Sequence, residues 1–206
     1  MDNGDALEAP HRCRTEPSGW VRRFAPLVAA GGPVLDLACG GGRHARFFLV
    51  RGRRVVAVDK DTSGVLDLAN DPRAEVVAAD LETEPGPFAP GGPLSGRRFA
   101  GVVVVDYLHR PLFGRLLEAL EPGGVLIYET FARGNERFRR PRNPDFLLAG
   151  GELLELARGR LQVVAYEHGM LTEDGAPAVK QRICAVAPAA AGGEPEPPPL
   201  PAAPQP

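Results

Sequence analysis

The sequence predicts an α/β protein: one doubly wound, Rossmann-like domain in which a mostly parallel sheet carries helices on both faces. Three observations support this. Pro33 to Leu49 reads as a short apolar strand, three consecutive glycines and the opening of a helix. Val102 to Val105 is an unbroken β-branched run, the pattern of a strand buried on both sides. Between Ser18 and Pro188, apolar runs of strand length alternate with helix-period segments, and the right-handed crossover rule makes successive strands of such units parallel.

Residues 1–17 are polar, contain Pro10 and Pro17 and show no apolar period, so a mobile arm is expected there. Ser18 is placed to cap a helix through Trp20, Val21, Phe24, Leu27 and Val28, which Pro26 should kink or end. Trp20, Arg22 and Arg23 either pack and solvate this helix or close over a ligand. Val34, Leu35 and Leu37 form the first strand, and Ala45, Phe48 and Leu49 mark a helix ending near Gly52. Val55 to Val58 is a second strand, stopped by Asp59-Lys60-Asp61. Asp61 or Thr62 caps the next helix, which ends at Asn70-Asp71-Pro72. Glu75 to Ala79 is a third strand closing in Asp80-Leu81. Glu82 to Gly96 holds too many prolines and glycines for helix or central strand and reads as a surface loop.

The fourth strand ends in Asp106-Tyr107-Leu108-His109. Leu112 to Leu120 carries a helical stripe, Pro122-Gly123-Gly124 breaks it, and Val125 to Tyr128 begins a fifth strand. Asn143-Pro144 opens a helix in cap-then-proline order, and Leu147 to Leu156 gives more helix around Gly150-Gly151. Leu161 to Tyr166 and Gln181 to Ala187 are the last strands, joined by a long hairpin containing Glu173-Asp174-Gly175. Residues 189–206 have no core-forming composition, and a disordered, partly extended tail is expected.

At 206 residues the chain is long enough for one domain with a full core. Its 44% hydrophobic and 24% charged content are ordinary for a globular protein, and no apolar run approaches the roughly 18 residues of a membrane span. Neither membrane insertion nor secretion is expected. A net charge of −2 argues against a general nucleic-acid binder, which needs a pronounced basic face. Cys13, Cys39 and Cys184 are odd in number and widely spaced, so no disulfide framework or metal site is expected and a reducing cytoplasm fits.

A strand that feeds a helix through glycines builds a ligand site, because the turn admits positive φ and the helix end offers unpaired N–H groups. Two readings of this turn compete. Gly40, Gly42 and Ala45 fit the dinucleotide fingerprint G-x-G-x-x-G/A, with Asp59 at about the ~20-residue interval of a ribose-binding acid. Asp36, inside the strand, has no place in that fingerprint; its carboxylate could hold the turn and face a cationic amino group, as in the methionine part of S-adenosylmethionine. Asp59 is placed to bind ribose hydroxyls and Asp80 to accept from an adenine amino group. Arg133, Arg137, Arg139, Arg140 and Arg142 form either a solvated basic turn or an entry loop for an anionic substrate.

Taken together, Asp36-Leu37-Ala38-Cys39-Gly40-Gly41-Gly42, Asp59, Asp80, Asp106-Tyr107-Leu108-His109 and Pro122-Gly123-Gly124 resemble the class I S-adenosylmethionine-dependent methyltransferases over 18–188. Ala38 stands where the family's first motif, D-x-G-x-G-x-G, has its first glycine. The Gly-Gly-Gly-Arg-His segment and the arginines after strand five look like the tellurite-resistance, small-molecule type. The resemblance implies a seven-stranded sheet of order 3-2-1-4-5-7-6 with strand seven antiparallel. It implies cofactor contacts at Asp36, Ala38, Gly40, Gly42, Asp59, Lys60, Asp80, Leu81 and Asp106, and methyl transfer to a small acceptor near Tyr107. His109 is then the best-placed general base, and Arg137, Arg139 and Arg140 are candidate substrate ligands. A nicotinamide-dependent oxidoreductase and a non-catalytic S-adenosylmethionine-binding module are the alternatives.

Overall fold

The computed structural model describes residues 15–189 and 200–202. The expected arm therefore lies outside the described residues apart from 15–17, as does most of the expected tail. The seven strands are β1 (Val34–Leu37), β2 (Val55–Asp59), β3 (Ala74–Ala78), β4 (Phe99–Val105), β5 (Leu120–Phe131), β6 (Gln162–Glu173) and β7 (Ala176–Val186). They form one sheet of order β3-β2-β1-β4-β5-β7-β6, parallel from β3 to β5, with β7 antiparallel to both neighbours. A dinucleotide-binding sheet in the order 3-2-1-4-5-6 has no reversed strand inserted beside its fifth, so this topology sets the nicotinamide reading aside.

Side chains alternate between two apolar layers, as the strand period demands. Leu35, Leu37, Val56, Val102 and Val104 pack with Leu116, Leu153 and Leu156, which lie on α3 (Phe113–Glu118) and α4 (Glu152–Ala157). Val34, Val55, Ala57 and Val103 pack on the other side with Trp20, Phe24, Ala45 and Phe48, from α1 (Gly19–Phe24) and α2 (Arg43–Val50). Ser18 caps α1 by accepting from the Trp20 N–H, and the chain tightens into a 3-10 turn at Pro26. Trp20 is 2% exposed and its indole N–H donates to the Ile183 carbonyl at 3.1 Å, so it serves packing rather than a lid.

Four elements depart clearly from expectation. The helix after β2 is 3-10, Ser63–Asn70; its Ser, Gly, Asp and Asn are weak helix formers, and Asp61 rather than Thr62 receives the Ser63 N–H. The helix expected over Leu147 to Leu156 begins only at Glu152, because Gly151 sits at φ 77° and Leu148 is drawn into a parallel bridge with Ala132. The last two strands run far longer than their apolar cores, to Glu173 and from Ala176. They close in a two-residue turn with Asp174 at φ 52° and Gly175 at φ 75°, left-handed at both positions as a type I′ hairpin requires. β6 from Glu167 to Met170 is exposed and carries no alternation, which is why its length was invisible.

Gly42 begins α2 at φ 72°, and a Cβ there would collide with Val65 Cγ1 and lie 2.9 Å from Arg46 Nη1. Gly42→Ala should therefore combine left-handed strain with overpacking and cost about 2–4 kcal/mol in urea unfolding. An unchanged midpoint would show that the turn yields without cost.

Candidate functional site

The parallel strands deliver their carboxyl ends to one edge. There Asp36 is 1% exposed, on the same face of β1 as Val34, and its Oδ2 accepts the Ala45 N–H at 2.8 Å. Burial pushes its pKa up to about 7, against the opposing pull of that hydrogen bond and of Arg43. Asp36 thus clamps the glycine turn onto α2 from below and does not line the cleft. Ala38 follows at φ 54°, a conformation natural to the glycine it replaces. Gly40 sits at φ 52°, and its N–H donates to Asp59 Oδ2 at 2.8 Å. Asp59 Oδ1 accepts the Asp61 N–H at 3.1 Å. Each carboxylate oxygen accepts two bonds, so Asp59 keeps acceptor capacity for ribose hydroxyls. Lys60 and Asp80 are exposed and Leu81 is buried beside them.

The end of β4 is more heavily built. Asp106 lies at φ 60°, and its two oxygens are held from opposite sides, Oδ1 by Lys180 Nζ at 2.6 Å and Oδ2 by Arg43 Nη2 at 3.3 Å. The Lys180 side chain is wholly buried and also reaches Glu129 Oε1 at 3.1 Å and Glu173 Oε1 at 2.8 Å. Burial alone would lower its pKa, but the three carboxylates outweigh that and raise it. Glu129 Oε2 accepts from Ser18 Oγ at 2.9 Å, and the Ser18 N–H donates to His44 Nε2 at 3.2 Å. Burial lowers the His44 pKa to about 3, so the ring is neutral and acts as an acceptor.

Above this floor opens a cleft of about 1380 Å³, lined by Ala38 to Gly41 and Arg43 and by Arg139, Arg140 and Arg142. That exceeds the ~300–1,000 Å³ of a single-ligand pocket and leaves room for more than one small molecule. Asp106, Tyr107 and Asp174 also line it, so all three non-glycine residues with positive φ among the described residues face this one cleft. Backbone strain concentrated in this way marks functional sites. Tyr107 donates to Glu82 Oε1 at 3.3 Å, and burial, followed by the nearby Glu82 carboxylate, raises its pKa.

Of the expected site residues, Ala38, Gly40, Asp106, Tyr107, Arg139 and Arg140 line the cleft, whereas Asp36, Gly42, Asp59, Lys60, Asp80, Leu81, His109 and Arg137 do not. The Arg137 Nε–H donates to the Gly134 carbonyl at 3.3 Å, folding the side chain back on its own turn. The arginine loop is anchored by Asn135, 0% exposed, whose amide donates to the carbonyls of Arg139 and Pro141 and whose oxygen accepts the Val179 N–H. Sequence reasoning missed Arg43, His44, Asn135 and Lys180. Lys180 stands in a polar run, Lys180-Gln181-Arg182, within β7 and carries no signal of its own, and its partners Glu129 and Asp106 lie 51 and 74 positions away.

Asp36 and His44 oppose each other in acid. A raised carboxyl pKa means that stability is gained as pH falls from about 7 toward the unfolded 3.8; a lowered imidazole pKa means that stability is lost as pH falls from 6.5 toward about 3. In the wild type the two slopes largely cancel. Asp36→Asn keeps an acceptor for Ala45 and removes one slope, so its melting temperature should match or exceed wild type at pH 7.5 and fall more steeply between pH 6.5 and 4. Parallel pH profiles would show that the pair does not titrate this way.

No family model matches the chain. It is 30% identical over 148 residues to the malonyl-[acyl-carrier protein] O-methyltransferase of Serratia marcescens, an alignment of 69% of this chain and 56% of that protein. It is 33% identical over 122 residues to the trans-aconitate 2-methyltransferase of Paracidovorax citrulli, covering 56% and 45% respectively. The chain thus spans about half the length of the curated relatives it matches. Among solved structures, TehB of Haemophilus influenzae superposes with a TM-score of 0.67 at 18% identity, over 84% of this chain and 63% of that one. A Burkholderia thailandensis 1,6-didemethyltoxoflavin N1-methyltransferase with bound S-adenosylhomocysteine gives 0.60 at 23% identity, over 82% and 76%. With its reversed β7 and its glycine turn, the chain has the fold of these methyltransferases and is similar to them in sequence.

Proposed function

We propose that the protein transfers a methyl group from S-adenosylmethionine to a small acceptor carrying a negative charge. The observation that carries the reading is the cleft lining, which joins the glycine turn and Asp106 to Arg139, Arg140 and Arg142, with Asp59 bonded to the turn at Gly40. The glycine turn fits its ligand. The main chain at Gly40 is open, with nothing within 4 Å of where a Cβ would stand, and Asp59 retains acceptor capacity beside it. In this reading Asp59 binds the ribose, Asp80 and Leu81 border the adenine, Lys60 flanks them, and Ala38, Gly40 and Asp106 bound the methionine end. Gly42 and Asp36 hold the turn itself.

S-adenosylmethionine supplies an electrophilic methyl group on a sulfonium. The chain's task is then to align an acceptor atom with that methyl, and such positioning is worth up to roughly 7–11 kcal/mol. The guanidinium groups pair two-pronged with carboxylates and fix the acceptor's orientation. A carboxylate oxygen is already deprotonated at neutral pH, so the reaction needs no general base, in keeping with His109 lying outside the cleft lining. Relatives named for malonyl and trans-aconitate substrates support an acidic acceptor. We assign the activity to 18–188. No helix among the described residues is long and apolar enough to cross a membrane, and the free, buried Cys39 and Cys184 support a reducing cytoplasm as the compartment.

Calorimetric titration with S-adenosylhomocysteine tests the cofactor half. Wild type should bind, and Asp59→Asn should lose about 1.5–3 kcal/mol through its charge-assisted hydrogen bonds; equal affinities would remove Asp59 from the site. The acceptor half is tested with trans-aconitate and related carboxylates. Replacing Arg139, Arg140 and Arg142 by Gln should lower kcat/KM and flatten its salt dependence, since the screening length falls from about 10 Å at 0.1 M to about 3 Å at 1 M salt. Wild-type efficiency in the triple variant at low salt would reduce the loop to a solvated turn.

A further inference from the structure

We propose that Lys180 is a positioning residue: a cation built into β7 that fixes Asp106 and thereby registers the glycine turn of the cleft lining against its arginine loop. The inference rests on the methyltransferase reading for its consequence, and on geometry alone for the cation. The three carboxylates around the ammonium come from three places in the fold, the mouth of β4, the last residues of β5 and the end of β6. Each offers an oxygen within 4.8 Å of the others, a spacing that like charges tolerate only around a cation. Lys180 supplies it with one N–H for each carboxylate, and its Nζ also lies 4.7 Å from the Phe131 ring.

Two linkages leave this cluster. On the cofactor side, Asp106 passes to Arg43, the first residue of the helix that follows the glycine turn, and Asp106 holds a left-handed backbone that its carboxylate contacts stabilise. On the acceptor side, the Glu173 carbonyl accepts from Arg139 Nη1 at 3.2 Å, so the residue that binds Lys180 through its side chain holds the arginine loop through its main chain. The long β6–β7 hairpin exists in a form that serves this purpose: pairing Lys180 with Gly169 and Glu173 with Ala176 lays both side chains over the end of β5. A lysine kept only for packing would not need three acids drawn from separate elements.

The test removes the ammonium and returns a small cation. In Lys180→Ala, S-adenosylhomocysteine affinity measured by calorimetry should fall about tenfold or more, the effect of losing one charge-assisted hydrogen bond at the site. Methylammonium chloride, set against equal sodium chloride, should restore most of it. Terbium luminescence gives a second readout independent of the cofactor: Lys180→Ala should bind Tb³⁺ in the vacated position, while wild type and Lys180→Ala/Glu129→Gln should not. If Lys180→Ala melts at room temperature, methylammonium should raise its melting temperature more than sodium does. The proposal is overturned by wild-type cofactor affinity in folded Lys180→Ala, by a loss that methylammonium does not reverse, by terbium binding equal in wild type and variant, or by a melt that methylammonium leaves unmoved. Wild type that fails to bind S-adenosylhomocysteine would sink the methyltransferase reading instead, and the terbium comparison would still decide whether Lys180 is the cluster's cation.

Discussion

A carboxylate sunk beneath the glycine turn sets the frame of this site. Asp36 faces the apolar layer under α2 and is joined to that helix through the Ala45 N–H. The bond satisfies one of the orphan donors at the helix start, and it fixes where α2 begins relative to β1. Everything at the strand edge is referred to that junction. Gly40 is held from the other side by Asp59, so the turn is gripped by acids from β1 and β2 at once. The cost of burying Asp36 shows in its raised pKa, and neutral His44 next to it adds no compensating charge. Such an expense is sustained where a backbone must be held in one conformation, here a run with positive φ at Ala38, Gly40 and Gly42.

Charge in the cleft is sorted by depth. Below the floor, Lys180 and Glu129 are buried, and the ammonium pairs with both Glu129 and half-buried Glu173. At the floor, Asp106 is shared between Lys180 and Arg43. At the rim, Arg140 and Arg142 stand on a loop whose backbone is tied down by buried Asn135 and by the Arg139 bond to Glu173. Deep charges therefore serve position, because their interactions are already committed. Rim charges serve encounter, because water reaches them and their fields extend outward.

The parallel half of the sheet was legible in the sequence because burial on both faces leaves a signature, unbroken in Val102 to Val105 and in Val55 to Val58, and because glycines and acids punctuate the strand ends. The order of all seven strands and the reversal of β7 followed from the resemblance. What periodicity could not convey was set by contacts distant in sequence. β6 and β7 extend beyond their apolar cores because they pair with each other, not because either has a buried face throughout. Leu147 and Leu148 have helical company in sequence but are claimed by the end of β5. Of the candidate site residues, Ala38, Gly40 and Asp106 line the cleft, whereas Asp36 and Asp59 meet the glycine turn through its N–H groups and Arg137 folds back on the Gly134 carbonyl, contacts that spacing along the chain does not reveal.

Neither the imidazole nor the phenol among the described residues of the cleft is placed to act as a base. His44, the imidazole that does line the cleft, is held neutral by burial and spends its Nε2 on the Ser18 N–H. Tyr107 has its hydroxyl directed at Glu82, and its pKa is raised, so it offers no phenolate near neutrality. A cleft of this make-up suits a nucleophile that arrives without a proton to lose. Guanidinium groups in the same lining favour a nucleophile that is already charged. Under the proposed function the two constraints meet in an acidic oxygen acceptor, for which orientation by arginine and register between cofactor and acceptor are what the chain would provide.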